Sequence, residues 1–372
     1  MKNTFGNAVT VTIFGESHGA AIGAVVDGLA AGIPVDNTYL AAQMDRRRAR
    51  GDGLSTARTE ADQIELLSGV YNGHTTGTPV TMVVRNTNTR SGDYAKTADL
   101  LRPGHADLTA YAKYGGWQDA RGGGHFSGRI TAAVVAAGAL CRSVLESKGV
   151  VIATHLRSCG GVEDLEFSSD VQTLRSQQEK LNNMDFAVLS EASGAAMQIA
   201  IRAAAAEGDS VGGVLETAVT GLEAGLGEPF FDSVESTLAR LLFSVPAVKG
   251  VEFGAGFGFA GMRGSAANDP FAMRGEKIVT LTNHNGGING GITNGMPVLL
   301  RTVIKPTPSI YKPQKTVDYI AKKDAEIAIQ GRHDPCILPR ARAVQDAVCA
   351  IGLLDLYTQR FGTLWQAGAK EG

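Results

Sequence analysis

At 372 residues the chain has room for one large domain or two to three ordinary ones, and 44% hydrophobic content supports a real core. A net charge of −2, from 35 Lys and Arg against 37 Asp and Glu, argues against a general nucleic-acid binder. Glycine is the outlier at 47 residues; spread through non-repetitive sequence, it excludes a collagen-like or linker architecture and favours tight turns and close backbone approach to ligands.

Residues 9–14 (VTVTIF) alternate as a strand and run into Gly15, Glu16, Ser17, His18 and Gly19. That pentapeptide matches the G-x-S-x-G nucleophile elbow, so a serine hydrolase is one reading. The elbow needs a helix directly after its serine, whereas AAIGAVVDGLAAGIP reads as a second strand and a turn. A turn that projects Ser17 and His18 into a site fits better. Pro34 and Asp36 open a helix through YLAAQMDRRRAR, which ends at Gly51 and places Arg46, Arg47, Arg48 and Arg50 where cations complement the dipole. Without interleaved aromatics, RRRAR reads as a solvated helix face rather than a nucleic-acid patch. The loop GDGLSTARTEADQ then leads to the strand-like IELLSGVY and PVTMVVRNT.

Residues 102–129 form the centre of the chain. They open with a proline-braced histidine (Arg102, Pro103, Gly104, His105, Ala106, Asp107) and close with Arg121, Gly122, Gly123 and Gly124, then Arg129. Glycines let backbone N–H groups approach an anion, and a helix starting just after them adds a positive dipole end. ITAAVVAAGALCRSVLESKG supplies that helix; its uncharged run, residues 130–141, is too short to span a bilayer and reads as a buried central helix.

VVIATHLRSCGG is a further strand, and residues 163–190 look polar, helical and peripheral. MQIAIRAAAAEGDSVGGVLETAVTGL reads as a helix or strand edge, a Gly-Asp-Ser turn and a strand. Asp232 caps a helix, SVESTLARLLFSV, that stops before Pro246. KGVEFGAGFGFAGMRGS alternates apolar residues with glycine as a closely packed strand, and NHNGGINGGITNG is a loop before the strand PVLLRTVI. Lys305, Pro306, Thr307, Pro308 and Ser309 follow as a stiffened loop with one cation and two hydroxyls, suited to a phosphate or a flavin edge, or simply a rigid turn. Arg332, His333, Asp334, Pro335 and Cys336 precede a helix containing Arg340 and Arg342. An Asp held beside an Arg is favoured there over a metal site, because no ligand set of the usual spacing occurs.

Cys141, Cys159, Cys336 and Cys349 show no paired spacing, which points to reduced structural thiols in a cytoplasmic setting. MKNTFGNAVTVTIF lacks the pattern of a signal peptide, and no membrane span is read. Strands outnumber obvious crossovers and are joined by short turns, so an α+β layered architecture in one large domain, residues 1–372, is expected.

The glycine loops and clustered arginines call for a multiply anionic ligand. His18 and His105, each in a glycine-flanked turn, can donate or accept a proton near neutral pH. Neither a Walker loop nor a dinucleotide fingerprint is present. The residues alone therefore reach an acid–base enzyme acting on a phosphorylated, carboxylated small molecule. A flavin- or anion-binding protein without turnover and a Ser17-dependent hydrolase remain as alternatives.

GESHG, RPGHAD, RGGG, GDSVGG, AVKGVEFG, NHNGGINGGITNG, KPTPS and RHDPC, in this order over nearly the whole chain, together resemble the chorismate synthase family. That resemblance implies conversion of 5-enolpyruvylshikimate 3-phosphate to chorismate, the last step of the shikimate pathway. Phosphate and a ring hydrogen are lost in trans-1,4 fashion, with reduced FMN required although the reaction is redox-neutral. It implies a β-α-β sandwich, helices packed between antiparallel sheets, assembled as a homotetramer. It sets His18 at the departing phosphate as proton donor, His105 against the reduced flavin, and Asp334 as an aid to proton removal at flavin N5. Arg47, Arg102, Arg129, Arg332 and Ser17 become substrate contacts. FMN would be held by His125, Phe126, Ser127, Pro246, Ala247, Gly290, Lys305, Pro306, Thr307, Pro308, Ser309 and Arg332. Where the family often has Arg-Ser-Ser after the glycine run, this chain has His125, Phe126 and Ser127, removing one cation and one hydroxyl. With no nicotinamide fingerprint visible, NADPH is expected only as an indirect reductant.

Overall fold

The chain opens with an antiparallel set, β1 (Thr4–Phe5), β2 (Thr10–Gly15) and β3 (Ala21–Asp27), so the Ser17–His18 turn joins two strands and no helix follows the serine. The computed structural model describes residues 2–55, 62–87, 99–329, 331 and 333–367. After β4 (Ala31–Pro34), α1 (Asn37–Arg47) starts where the Asp36 carboxylate accepts the Thr38 amide. Next come β5 (Ile64–Ser68), β6 (Val70–Tyr71), β7 (His74–Thr76) and β8 (Val80–Arg85). The first five-stranded sheet has the order β1-β2-β3-β8-β5, with β4, β7 and β6 in a small sheet beside it.

α2 (Asp107–Tyr114) leads through the glycine run to α3 (Thr131–Ser147). Then follow β9 (Val151–Cys159), β10 (Val162–Glu163), α4 (Val171–Asn182), α5 (Glu191–Ala206), β11 (Gly213–Thr220), α6 (Val234–Leu242) and β12 (Val248–Phe253). The short elements α7 (Gly264–Ala267), β13 (Phe271–Arg274), β14 (Lys277–Thr280), β15 (Ile288–Asn289) and β16 (Ile292–Thr293) precede β17 (Val298–Ile304). The hairpin β18 (Gln314–Asp318) and β19 (Lys323–Ile327), then α8 (Leu338–Phe361) and α9 (Leu364–Ala367), complete the chain. A second antiparallel sheet has the order β10-β9-β11-β17-β12.

The fold is α+β, with helices between the two sheets. α3 packs on the first sheet with one face and on α8 with the other; α8 lies on β9 and β11. Gly138 sets the helix–helix spacing, since a Cβ there would stand 2.3 Å from the Ala347 Cβ. By length and composition Gly128–Ser147 is apolar enough to cross a membrane, but 72% of it is buried inside the fold. α8 is buried all round, and its polar residues are satisfied from elsewhere. Gln345 bonds Thr217 and Thr302, Asp346 accepts from Arg46, Arg142 and Thr154, and Asp355 accepts the Ala8 and Val9 amides. On the outer face of the second sheet α4 seals a small cluster around Phe167, Leu174 and Leu181.

Three local expectations change. Ser233, not Asp232, caps α6, because its hydroxyl is the group that accepts the Ser236 amide. β12 stops at Phe253, since Gly254 and Gly256 take φ values of 55° and 52° and turn the chain into a 3-10 segment, Gly256–Gly261. α1 ends at Arg47, short of Gly51, and only part of the expected solvated face holds: Arg46 pairs with Asp346 and Arg47 with Asp62, both inside, while Arg48 and Arg50, past the helix end, stay part-exposed against Asp45 and Asp185.

Candidate active site

Two turns are fastened together at the ends of α2 and β17. Gly104 takes φ 73°, and a Cβ on it would lie 2.8 Å from the Pro308 Cβ. Lys305 Nζ donates to the Gly104 carbonyl at 2.6 Å, and its own backbone N–H donates to Ala247 at 3.0 Å. Between these turns and the glycine run lies a cavity of about 670 Å³. Arg102, His105, Phe126, Ser127, Pro246, Ala247, Lys305, Thr307, Pro308, Ser309 and Asp334 all line it. An apolar end carries Tyr111 against Tyr319, ring centroids 4.9 Å apart.

Beside it is a smaller cavity, about 250 Å³, lined by Arg47, Arg48, Arg129 and Arg340 with Asp62 and Asp334. The two share Ser127, Gly128, Pro246, Asp334 and Ile337 as a wall. Arg47 donates through Nε to Thr131, Nη1 to Asp62 and Nη2 to the Gly128 carbonyl, at 2.9, 2.9 and 3.0 Å. Arg129 takes the other Asp62 oxygen and donates to Asn86 at 3.0 Å. One buried carboxylate thus orients two guanidiniums. Arg340 bonds Asp334 at 2.8 Å and the Arg47 carbonyl at 3.0 Å. Guanidinium forks held in place in this way suit bidentate contacts to phosphate and carboxylate groups.

His105 lies in the wall of the larger cavity with Nε2 2.8 Å from Ser309 Oγ. Burial, then Arg102, with Lys305 and His333 further off, outweigh Asp107 and pull its pKa down to about 4, so the imidazole is neutral at pH 7. Arg102 is itself forked onto Asp107 at 2.9 and 2.7 Å. His18 stands behind the glycine run. A Cβ on Gly122 would meet its ring at 2.1 Å, while Gly122 itself lines the cavity. Gly122, Gly123 and Gly124 take φ values of 60°, 84° and 53°, which leaves room for that ring. Ser17 is buried, its amide held by the Gly124 carbonyl at 3.1 Å.

Some expected residues are not brought in, Ser17 and His18 among them, since neither lines either cavity. His125 lines neither cavity; its Nδ1 donates to the Gly15 carbonyl at 2.8 Å and ties the glycine run to the end of β2. Gly290 and Pro306 are exposed and line neither cavity. Arg332 lies outside the described residues. Asp62, Asn86, Tyr111 and Tyr319 carried no motif signal, since each comes from a separate segment, while His333, inside the RHDPC motif, was given no role and lines the larger cavity. Among the described residues no group of three or more His, Cys, Asp or Glu side chains is placed to hold a metal ion.

Residues 9–358 match the family profile described as chorismate synthase. A chorismate synthase of Dehalococcoides mccartyi is 44% identical over 357 residues, covering 96% of each chain. That of Pyrococcus abyssi is 44% identical over 350 residues (94% of this chain, 96% of the relative), and that of Archaeoglobus fulgidus 45% over 353 (95% and 96%). A solved structure titled as the crystal structure of chorismate synthase superposes with a TM-score of 0.76 at 27% identity, covering 96% of this chain and 94% of the other. Similarity of this extent, over nearly the whole length of both chains, has one consequence: the chain belongs to the chorismate synthase family.

Proposed function

We propose that this chain is the lyase that converts 5-enolpyruvylshikimate 3-phosphate to chorismate and phosphate, working with reduced FMN. The observation that carries the reading is the shared wall, Ser127, Gly128, Pro246 and Asp334, between an arginine-lined chamber and a larger aromatic one. A substrate with a phosphate and two carboxylates suits the first; the second has the size of cofactor pockets, about 300–1,000 Å³. Its residues fit a flavin nucleotide. Thr307 Oγ1 is buried with no hydrogen-bond partner among the described residues, next to Lys305, and so stands ready for a phosphate or ribose oxygen. Phe126, Tyr111 and Tyr319 offer apolar surface for a planar ring. Bound reduced FMN supplies reducing power that turnover gives back, so nothing is consumed.

The chain's own part is mainly electrostatic. Arg47 and Arg129, fixed by Asp62, and Arg340, fixed by Asp334, grip the anionic groups where water is scarce. An imidazole N–H of His18 passes its proton to an oxygen of the departing phosphate, and neutral His105 offers a hydrogen bond without adding charge. Asp334, in the wall between the chambers and held by Arg340, would assist proton removal at flavin N5. Arg102, steadied by Asp107, completes the clamp.

The Ser17 hydrolase reading is disfavoured because the serine is buried and β3 follows it. A homotetramer is supported by apolar surface exposed on the isolated chain, including Phe230, Phe231, Phe257, Phe271 and Met273. We place the protein in the cytoplasm as one domain over residues 1–372, with flavin reduced from outside. The test is anaerobic incubation of substrate with protein and dithionite-reduced FMN. Chorismate absorbance should rise in step with phosphate release and stay flat with oxidised FMN. Flavin binding without phosphate release would leave a non-catalytic paralogue as the better reading.

A further inference from the structure

Ser309 is buried in the loop that is fastened to the His105 turn by Lys305 and Pro308, and its hydroxyl is 2.8 Å from His105 Nε2. Among the described residues no protein group bonds the other ring nitrogen, Nδ1, while the ring lines the larger cavity. A neutral imidazole has one donor and one acceptor nitrogen, and the partner of the first decides what the second can do. Among the described residues Ser309 Oγ has no hydrogen bond besides this one. A serine hydroxyl can donate to Nε2 or accept from Nε2–H; the first arrangement leaves an N–H, the group an anionic ligand needs, on the cavity side.

We propose that Ser309 is the positioning residue for His105: its O–H···Nε2 bond fixes the ring in the tautomer protonated on Nδ1 and turns that N–H toward the bound ligand. His105 then acts as a neutral hydrogen-bond donor in a cavity already flanked by Arg102 and Lys305. The two anchored turns hold donor and acceptor in register, so the tautomer is set by the fold before any ligand arrives. The part of this that concerns turnover rests on the function proposed above; the tautomer does not.

Protein labelled with ¹⁵N-histidine, with the His105 signals assigned by their loss in His105→Gln, reads the tautomer directly at pH 7. The expected result is a protonated Nδ1 and an unprotonated Nε2 in the native protein. Ser309→Ala should move His105 toward the Nε2–H form, and Ser309→Thr, which keeps the hydroxyl, should restore the native pattern. Ser309→Cys, close in size but a weak donor, keeps the question open should the alanine variant fail to fold. With activity established, Ser309→Ala should lower kcat about 10- to 100-fold, the usual effect of losing a group that orients a functional histidine, with KM little changed. A native His105 protonated on Nε2, or a tautomer indifferent to Ser309→Ala and Ser309→Cys, overturns the proposal. A shifted tautomer with unchanged kcat upholds it and counts instead against a role for His105 in turnover.

Discussion

Two histidines in this protein are tuned in opposite senses by what surrounds them. At His155 burial disfavours the charged form, but Asp164 at 3.1 Å and Glu216 at 3.0 Å prevail and raise its pKa. At His105 burial and cations act together, and the value falls to about 4. In the unfolded chain His105 takes up its proton as pH drops through about 6.5, whereas the folded protein resists until about 4. The stability involved is therefore complete above the unfolded value and is lost as pH falls through that window. His105→Gln should remove this loss: urea unfolding of native and variant protein should diverge between pH 6.5 and pH 4 by up to about 3 kcal/mol. Superimposable pH dependences would show that His105 is not held neutral. In the sequence both residues are simply histidines; Glu216, which sets His155 apart, is 61 positions away.

Turns and helix crossings are where single methyl groups decide the outcome. Gly122→Ala puts a Cβ 2.1 Å from the His18 ring on a backbone at φ 60°, so the imidazole must leave its place. Chorismate formation should drop at least tenfold while the unfolding temperature moves only slightly, because the glycine run is a surface turn. Equal activity in that variant would place His18 outside the reaction. Gly138→Ala acts in the reverse way. It forces α3 off α8 and should cost about 1–3 kcal/mol in urea denaturation, with the turns of the site untouched. The β2–turn–β3 unit, the Asp36 cap of α1 and the buried α3 were legible because periodicity and capping are local signals. The extent of α8 was not. Gln345, Asp346 and Asp355 are polar positions with no partner nearby in sequence, and only the fold brings Thr217, Arg46 and the Val9 amide to meet them.

At the scale of the molecule, the site exists because the layered fold carries distant turns to one end. Eleven of the positions named from motifs line the larger cavity. What no motif announced was Asp62, 15 positions from Arg47 and 67 from Arg129, which makes the two arginines a single unit. His125 and Gly290 mark the opposite limit, since a place in a recognisable motif does not determine which way a side chain or turn faces.

The layering also affects the thiols. Cys141 and Cys349 sit in the paired helices, Cys159 and Cys336 where a sheet edge meets the start of α8, and all four are 0% exposed. Burial pushes the Cys141 thiol up to about 12 and the Cys349 thiol higher as well, so neither ionises in the native layer. A chromogenic disulfide reagent should find no fast-reacting sulfhydryl in native protein and four in denaturant. Its slow reaction then measures how often the helix layer opens. Adding flavin and substrate should slow it further, since anything that binds only the closed form suppresses opening. An immediate burst of colour from native protein would mean the layer stands open. These unassuming cysteines thus serve as a built-in stopwatch for the breathing of the molecule.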